Sequence, residues 1–335
     1  MGTTAQKLNK ILETKEAIRT AINNKGGTLT TTDTFASYPS AIDSLPSGGG
    51  DSLKEFLDET KSAQFLFCGK AYHNGGVYTT WGNNLTYERL QKLLSYNTTS
   101  SVKYMSNMFY NCTSLKAIPQ FDTSSATFMD YMFNYCSNLT TIPQLNTSNV
   151  TNMSYMFYYC SALQTISQLD TSKVTNMNSM FYYCKNLTTI PQLNTSNVTN
   201  MSYTFYSCHK LTTIPQLNTS KVTNMNHMFS SCLILTTIDI THMNITSTNN
   251  SNSFASYCYS LTKLIIRNMD SIPTLNSNAF TDCYHFTGTT DSTYNPQGLK
   301  DGRIYVPDDK VDALKTATNW STYADIIVPL STLVE

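Results

Sequence analysis

Met156-Phe157-Tyr158-Tyr159-Cys160, then Leu163, Ile166 and Leu169, then Ser172-Lys173-Val174-Thr175-Asn176-Met177, is a sentence this chain writes several times over. From Met108 to Cys232 the copies are nearly identical, and the cysteines mark time. Cys112, Cys136, Cys160, Cys184, Cys208 and Cys232 fall 24 residues apart, and Cys258 and Cys283 follow after 26 and 25. A fixed period in the range of roughly 20–50 residues implies a solenoid, because a unit that short buries its apolar side only against its neighbours. The architecture follows from this stretch. The function does not, since a solenoid is a scaffold and its job is set by the surface it displays.

Within one unit, Val150, Met153, Met156, Phe157 and Cys160 recur at steps of three and four, which predicts a short helix with those residues inward and Thr151, Tyr155 and Tyr158 outward. Leu163 and Ile166 open the next run, read as a short strand. Pro143, Pro191 and Pro215 follow the Ile position in three copies and should end that strand, because proline has no N–H for a ladder. Asp122, Asn146, Asp170, Asn194 and Asn218, each followed by Thr-Ser, suit Asx turns that reverse the chain. The expectation is an α/β solenoid of 24-residue coils, each a strand, a turn and a helix. Strands stack at about 4.7–4.9 Å and helices at roughly 8–10 Å, so such a stack should bend with its strands on the concave side.

The bulk numbers exclude several classes. The chain has 335 residues, no net charge and only 13% charged residues, without the basic footprint that nucleic-acid binding requires. No apolar run reaches the length of about 18 residues that spans a bilayer, so no membrane insertion is expected. The polar start, Met1 to Lys7, reads as neither a secretory signal nor, with Gln6, a myristoylation site. Nine cysteines, eight of them at the repeat spacing, read as a column of free, buried thiols acting as small hydrophobes, in keeping with a reducing compartment.

The segments outside the repeat divide the rest. Residues 1–46 read as a helical docking or oligomerisation segment. Leu8, Ile11, Leu12, Ile18 and Ile22 form its apolar stripe, which packs either on the following Phe35, Tyr38, Ile42 and Leu45 or on copies of itself, a trimer being favoured. Residues 47–51 are a Gly-rich linker and 52–97 an N-terminal cap. The repeat solenoid occupies 98–286, and 287–335 form a C-terminal cap in which Asp308 or Asp309 can start a helix bearing Val311, Leu314 and Ala317.

No catalytic constellation emerges. His73, His209, His227, His242 and His285 are scattered, His209 and His227 at positions read as exposed. No metal-ligand spacing, nucleophile elbow or phosphate loop is present, and Asp282, Asp291 and Asp301 read as a solvated loop. The expectation is no enzyme, no cofactor and no metal. What remains is display. Tyr155, Tyr158, Tyr182, Tyr203 and Tyr206 are the first candidates for a receptor-binding face, because tyrosine offers a flat apolar ring and a hydroxyl at low entropic cost. A column of such rings suits stacking on sugars, and the Thr pairs at 140–141, 188–189, 212–213 and 236–237 form a second regular array.

The Leu-x-x-Ile step with the run Asn-Thr-Ser-Asn-Val-Thr-Asn-Met-Ser-Tyr-Met-Phe-Tyr-Tyr-Cys (146–160) resembles the BspA-type leucine-rich repeats of bacterial surface proteins. Residues 6–45 and 53–67 resemble the N-terminal segments of bacteriophage and prophage tail proteins. The resemblance implies a virion protein, assembled in the host cytoplasm, docked on other virion proteins through its first segment and binding a host surface glycan or protein through the solenoid. A bacterial surface adhesin and a purely structural virion decoration protein are the alternatives.

Overall fold

The computed structural model describes residues 99–334 except 101 and 247, together with positions 19, 20, 23, 87, 88, 90 and 91. Those earlier positions are helical, and Leu90 is buried. The remainder of 1–98, including Leu8, Ile11, Leu12, Ile18 and Ile22, lies outside the described residues.

The stack is a solenoid whose coil is built differently from the strand-turn-helix expectation. The segment 153–160 contains no helix. Its backbone N–H groups alternate between two destinations. Those of Met153, Tyr155, Phe157 and Tyr159 donate to the carbonyls of Asn176, Asn178, Met180 and Tyr182 in the next coil at 2.7–3.1 Å. Those of Met156, Tyr158 and Cys160 donate three residues back, to Met153, Tyr155 and Phe157, at 3.0–3.3 Å. The Ser154 N–H is taken by the Asn152 side chain. Every donor of a largely buried segment is thereby satisfied, as burial demands. The result is a run of tight turns laddered to its neighbours, and the α/β description of the coil is corrected accordingly.

The apolar steps of three and four are real, because an i→i+3 turn and a helix share that period. Val150, Met153, Met156, Phe157, Cys160, Leu163 and Leu169 are all fully or almost fully buried, and Ile166 is partly so. Phe109, Phe133, Phe157, Phe181, Phe205 and Phe229 stack as one column, centroids 5.3–5.6 Å apart and planes within 6–7°. Beside it runs the cysteine column, which does more than fill space. From Cys136 to Cys258 each thiol donates to the carbonyl of a phenylalanine in the preceding coil, at 2.9–3.2 Å. Burial pushes the thiols of Cys160, Cys184 and Cys208 well up in pKa. A buried Thr column is bonded the same way: Thr123, Thr147, Thr171 and Thr195 donate to carbonyls of the next coil at 2.8–2.9 Å. The Asx turns form as read, with Asp122, Asn146, Asp170, Asn194 and Asn218 each accepting the N–H of the serine two residues on.

Among the described residues the named strands lie in the C-terminal part and form one parallel sheet in chain order: β1 (Thr237–His242), β2 (Lys263–Asn268), β3 (Arg303–Val306) and β4 (Ile327–Pro329). Asp239 of β1 pairs with Ile265 of β2, and the bridge Leu217↔Ile240 sets Asp239 beside Gln216, one residue after Pro215. In the earlier coils Pro215, Pro191, Ser167, Pro143 and Pro119 follow one another at the 24-residue period. Three of these coils were expected to carry a short strand ending at proline. None does, and only single-residue bridges such as Asn152↔Asn176 and Asn176↔Asn200 link them. Proline removes the ladder donor; the Ser167 coil, which has no proline there, forms no strand either.

The closing segment extends the solenoid before sealing it. After α1 (Tyr284–Thr287), β3 and β4 add two strands, and α2 (Val311–Thr316) buries Val311 and Leu314. Trp320, fully buried, lies against Phe280, and its Nε1 donates to the Pro273 carbonyl at 2.8 Å. Neither Asp308 nor Asp309 caps α2, as had been expected; Asp308 accepts the Ser331 N–H at 3.0 Å instead, tying the last turn down. Among the described residues no helix is long and apolar enough to cross a membrane.

Candidate functional site

The run of turns brings the five candidate tyrosines onto one side of the stack, in adjacent columns. Tyr158, Tyr182 and Tyr206 stack at 4.5 and 4.6 Å. Tyr131 and Tyr155 stack at 4.5 Å, and Tyr203 stacks on His227 at 4.6 Å. The columns touch edgewise through Tyr155–Tyr158 (5.4 Å) and Tyr203–Tyr206 (5.8 Å). A third column, Tyr135, Tyr159 and Tyr183, adjoins them. The five candidates are half-buried rather than fully outward. Stacking covers part of the ring faces, and Ser179 stands between Tyr155 and Tyr203 in their column.

The backbone beneath the rib is unusual. Tyr131, Tyr155 and Tyr203 have φ of 58°, and Tyr135, Tyr159 and Tyr183 have φ of 58–63°. Positive φ is uncommon for a bulky residue and costs on the order of 1–3 kcal/mol. Elsewhere in the same two columns the position holds Asn107, Ser179, Asn111, Ser207 or Ser231, smaller residues at the same geometry. Ring stacking at roughly 0.5–1.5 kcal/mol per pair offsets part of the cost. Burial, reinforced by neighbouring phenols, raises the Tyr158 and Tyr203 hydroxyls in pKa and takes Tyr182 to about 12, so the rib is uncharged across the neutral range.

His209 and His227, read as exposed, are half-buried. Burial lowers the pKa of both, and the buried Nδ1 of His227 has no hydrogen-bond partner. Asp301 pairs with His285 at 2.7 Å, and Asp291 accepts the N–H groups of Thr293 and Tyr294, so that acidic loop is held by its own contacts. Among the described residues no group of three or more His, Cys, Asp or Glu could hold a metal.

A feature not anticipated from sequence lies elsewhere on the coil. Gln168, Asp170, Gln192, Asn194, Gln216 and Asn218 line an open groove of about 640 Å³. The glutamines form a ladder. Gln120, Gln144, Gln168 and Gln192 each donate Nε2 to the backbone carbonyl of the glutamine one coil on, at 2.7–3.0 Å. Gln216 meets Asp239, which an Arg267 pair at 2.7 Å holds in place. The signal was available: Gln120, Gln144, Gln168, Gln192 and Gln216 keep the 24-residue period. Of the Thr pairs, Thr140, Thr188 and Thr212 spend their hydroxyls on carbonyls one coil back.

A family profile described as "Mycoplasma protein of unknown function, DUF285" matches residues 83–192, 159–268 and 184–292. Together these matches cover more than half of the chain, which belongs to that family. A profile that fits three times in overlapping registers behaves as a repeat does, in agreement with a BspA-like leucine-rich-repeat solenoid. No curated protein matches. Among solved structures, a leucine-rich-repeat protein of T. pallidum is similar at 16% identity and a TM-score of 0.24, over 39% of this chain and 69% of that one. The TLR13–ssRNA13 complex is similar at 12% identity and a TM-score of 0.19, over 66% of this chain and 45% of that one.

Proposed function

We propose that the chain is a passive adhesion protein of a bacteriophage particle. Residues 1–46 fasten it to other virion proteins as a helical, self-associating segment, and the solenoid binds a host surface molecule without chemistry. The observation that carries this reading is the tyrosine rib: a broad, uncharged, preorganised surface kept at backbone positions where smaller residues serve in other coils. Rigid aromatics with few rotors lose little entropy on binding. Several copies mounted together raise apparent affinity through effective concentration.

The test is adsorption of the labelled full-length protein to bacterial cells, beside a variant with Tyr155, Tyr158, Tyr182, Tyr203 and Tyr206 all changed to Ser. Serine already occupies rib positions at Ser179, Ser207 and Ser230, so the variant is expected to fold and to lose most adsorption. Undiminished adsorption would remove the rib from the role. Wild-type protein that binds no cells would favour a decoration protein that only spaces virion subunits. A second reading, an adhesin on a bacterial cell, is favoured by the family description, which speaks of Mycoplasma proteins. Labelling the protein in intact bacteria against purified particles separates these two.

A further inference from the structure

The groove between Gln168 and Asn218 is a better glycan site than the rib, and the reason is the disposition of its hydrogen-bonding groups. Each glutamine Nε2 is committed to a carbonyl, which fixes the amide orientation, since a carbonyl only accepts. The Oε1 atoms of Gln168 and Gln192 are left as acceptors with no protein donor. Asn194 and Asn218 are fixed in the opposite sense. Their Oδ1 atoms accept the N–H groups of Ser196 and Ser220, and their Nδ2 donors have no protein partner. The coils of Gln192 with Asn194 and of Gln216 with Asn218 therefore each present an acceptor beside a donor, while Asp170 gives the Gln168 coil acceptors alone. Such pairs suit hydroxyl groups, which donate and accept at once.

Charge narrows the class. Asp170 is the single ionisable residue lining the groove, and hydrogen bonds from the side chain and backbone of Ser172 lower its pKa, so it is ionised at neutral pH. No cation lines the groove, so anionic chains are disfavoured. Spacing narrows it again. The donor–acceptor pairs recur at strand spacing, about 4.7–4.9 Å. An extended peptide advances roughly 3.1–3.4 Å per residue and falls out of register within a few coils. A linear oligosaccharide, one ring per coil, stays close to it.

We propose that this groove binds a linear, uncharged oligosaccharide lying along the stack, one sugar ring per coil. The proposal deepens the adhesion reading and rests on it for its biological setting, though the groove is remote in chemistry from the rib and none of the rib tyrosines lines it.

The experiment is calorimetric titration of the full-length protein with neutral linear oligosaccharides, namely β-1,4-linked glucose and N-acetylglucosamine and α-1,4-linked glucose, from disaccharide to tetrasaccharide. Matched polyuronate oligomers serve as the anionic arm. At least one neutral series is expected to bind, more tightly with length, and the polyuronates not at all. Gln192→Ala is expected to weaken binding at least tenfold. Should Gln192→Ala misfold, Asn194→Asp replaces it; aspartate already stands at the equivalent Asp122 and Asp170, and exchanging donor for charge should weaken neutral ligands several-fold. Failure of all three neutral series in a protein that adsorbs to cells would overturn the groove proposal and leave adhesion standing. Binding undiminished in Gln192→Ala would overturn it too. Oligosaccharide binding by a protein that adsorbs to no cell would uphold the groove and sink the adhesion reading.

Discussion

The chain up to Cys232 and the chain after it solve the same stacking problem in two ways. In the earlier coils proline occupies the column at 119, 143, 191 and 215, and strands do not form. There the coils are held by the alternating turn ladder and by threonine, glutamine and cysteine side chains that bond carbonyls in an adjacent coil. In the later part no proline interrupts β1 or β2, and a four-stranded parallel sheet takes over. The aromatic core changes with it: the phenylalanines stack flat up to Phe229, then Phe254 and Phe280 turn edge to face at 87°. Regular stacking on one side of the coil thus does not require a sheet on the other. Removing one ladder donor per coil is tolerated where side chains supply the missing link.

The comparison can be broken most strongly at its core. Phe181→Ala empties a fully buried site in the flat column and should cost about 3–5 kcal/mol in denaturant unfolding. Phe254→Ala should cost the same order if the two halves unfold as one unit; a separate early transition would show that they do not. Next, Asp239→Pro puts a proline inside β1. It removes the acceptor of Gln216 and the partner of Arg267, and about 2–3 kcal/mol should be lost. Thr195→Val keeps shape while deleting a fully buried hydroxyl bonded at 2.8 Å to the Asn218 carbonyl, and about 1 kcal/mol is expected by the same measurement.

The smallest effect is a pH dependence. Tyr182 releases its proton at about 12 in the fold, against an ordinary value of 10.0. Between those values the unfolded chain has lost the proton and the native chain still holds it, so stability falls as pH rises through the interval. It is fully present below 10 and gone above 12. Thermal melting followed across that window should show a decline that Tyr182→Ser makes shallower.

Much of this was legible from residues alone. The period, the inward set from Val150 to Leu169 and the Asx turns at Asp122 to Asn218 are dictated by side-chain chemistry that works the same way in any setting. The form of the 153–160 segment was not legible, because a helix and a chain of turns share the three-and-four spacing. What separates them, positive φ at every fourth residue, is usually marked by glycine, and here tyrosine and serine stand in its place. The tyrosines were found by their chemistry, but their mutual stacking depends on the pitch of the turns, which no local pattern encodes. The glutamine ladder was written plainly in the period and is silent until the coils are stacked, since its partners are backbone carbonyls. The role of Trp320 as the plug of the last coil depends on contacts some 40 residues away in sequence, with Pro273 and Phe280.

The alternation of N–H groups between a coil's own turn and the coil that follows has one more consequence. Because each coil offers its successor an identical set of N–H donors, a further copy of the 24-residue unit would dock on the array as its neighbours do, and one fewer would leave no ragged seam. Copy number is thereby uncoupled from foldability, and unequal crossing-over between near-identical gene segments could lengthen or shorten the molecule's reach without any compensating change in its interior.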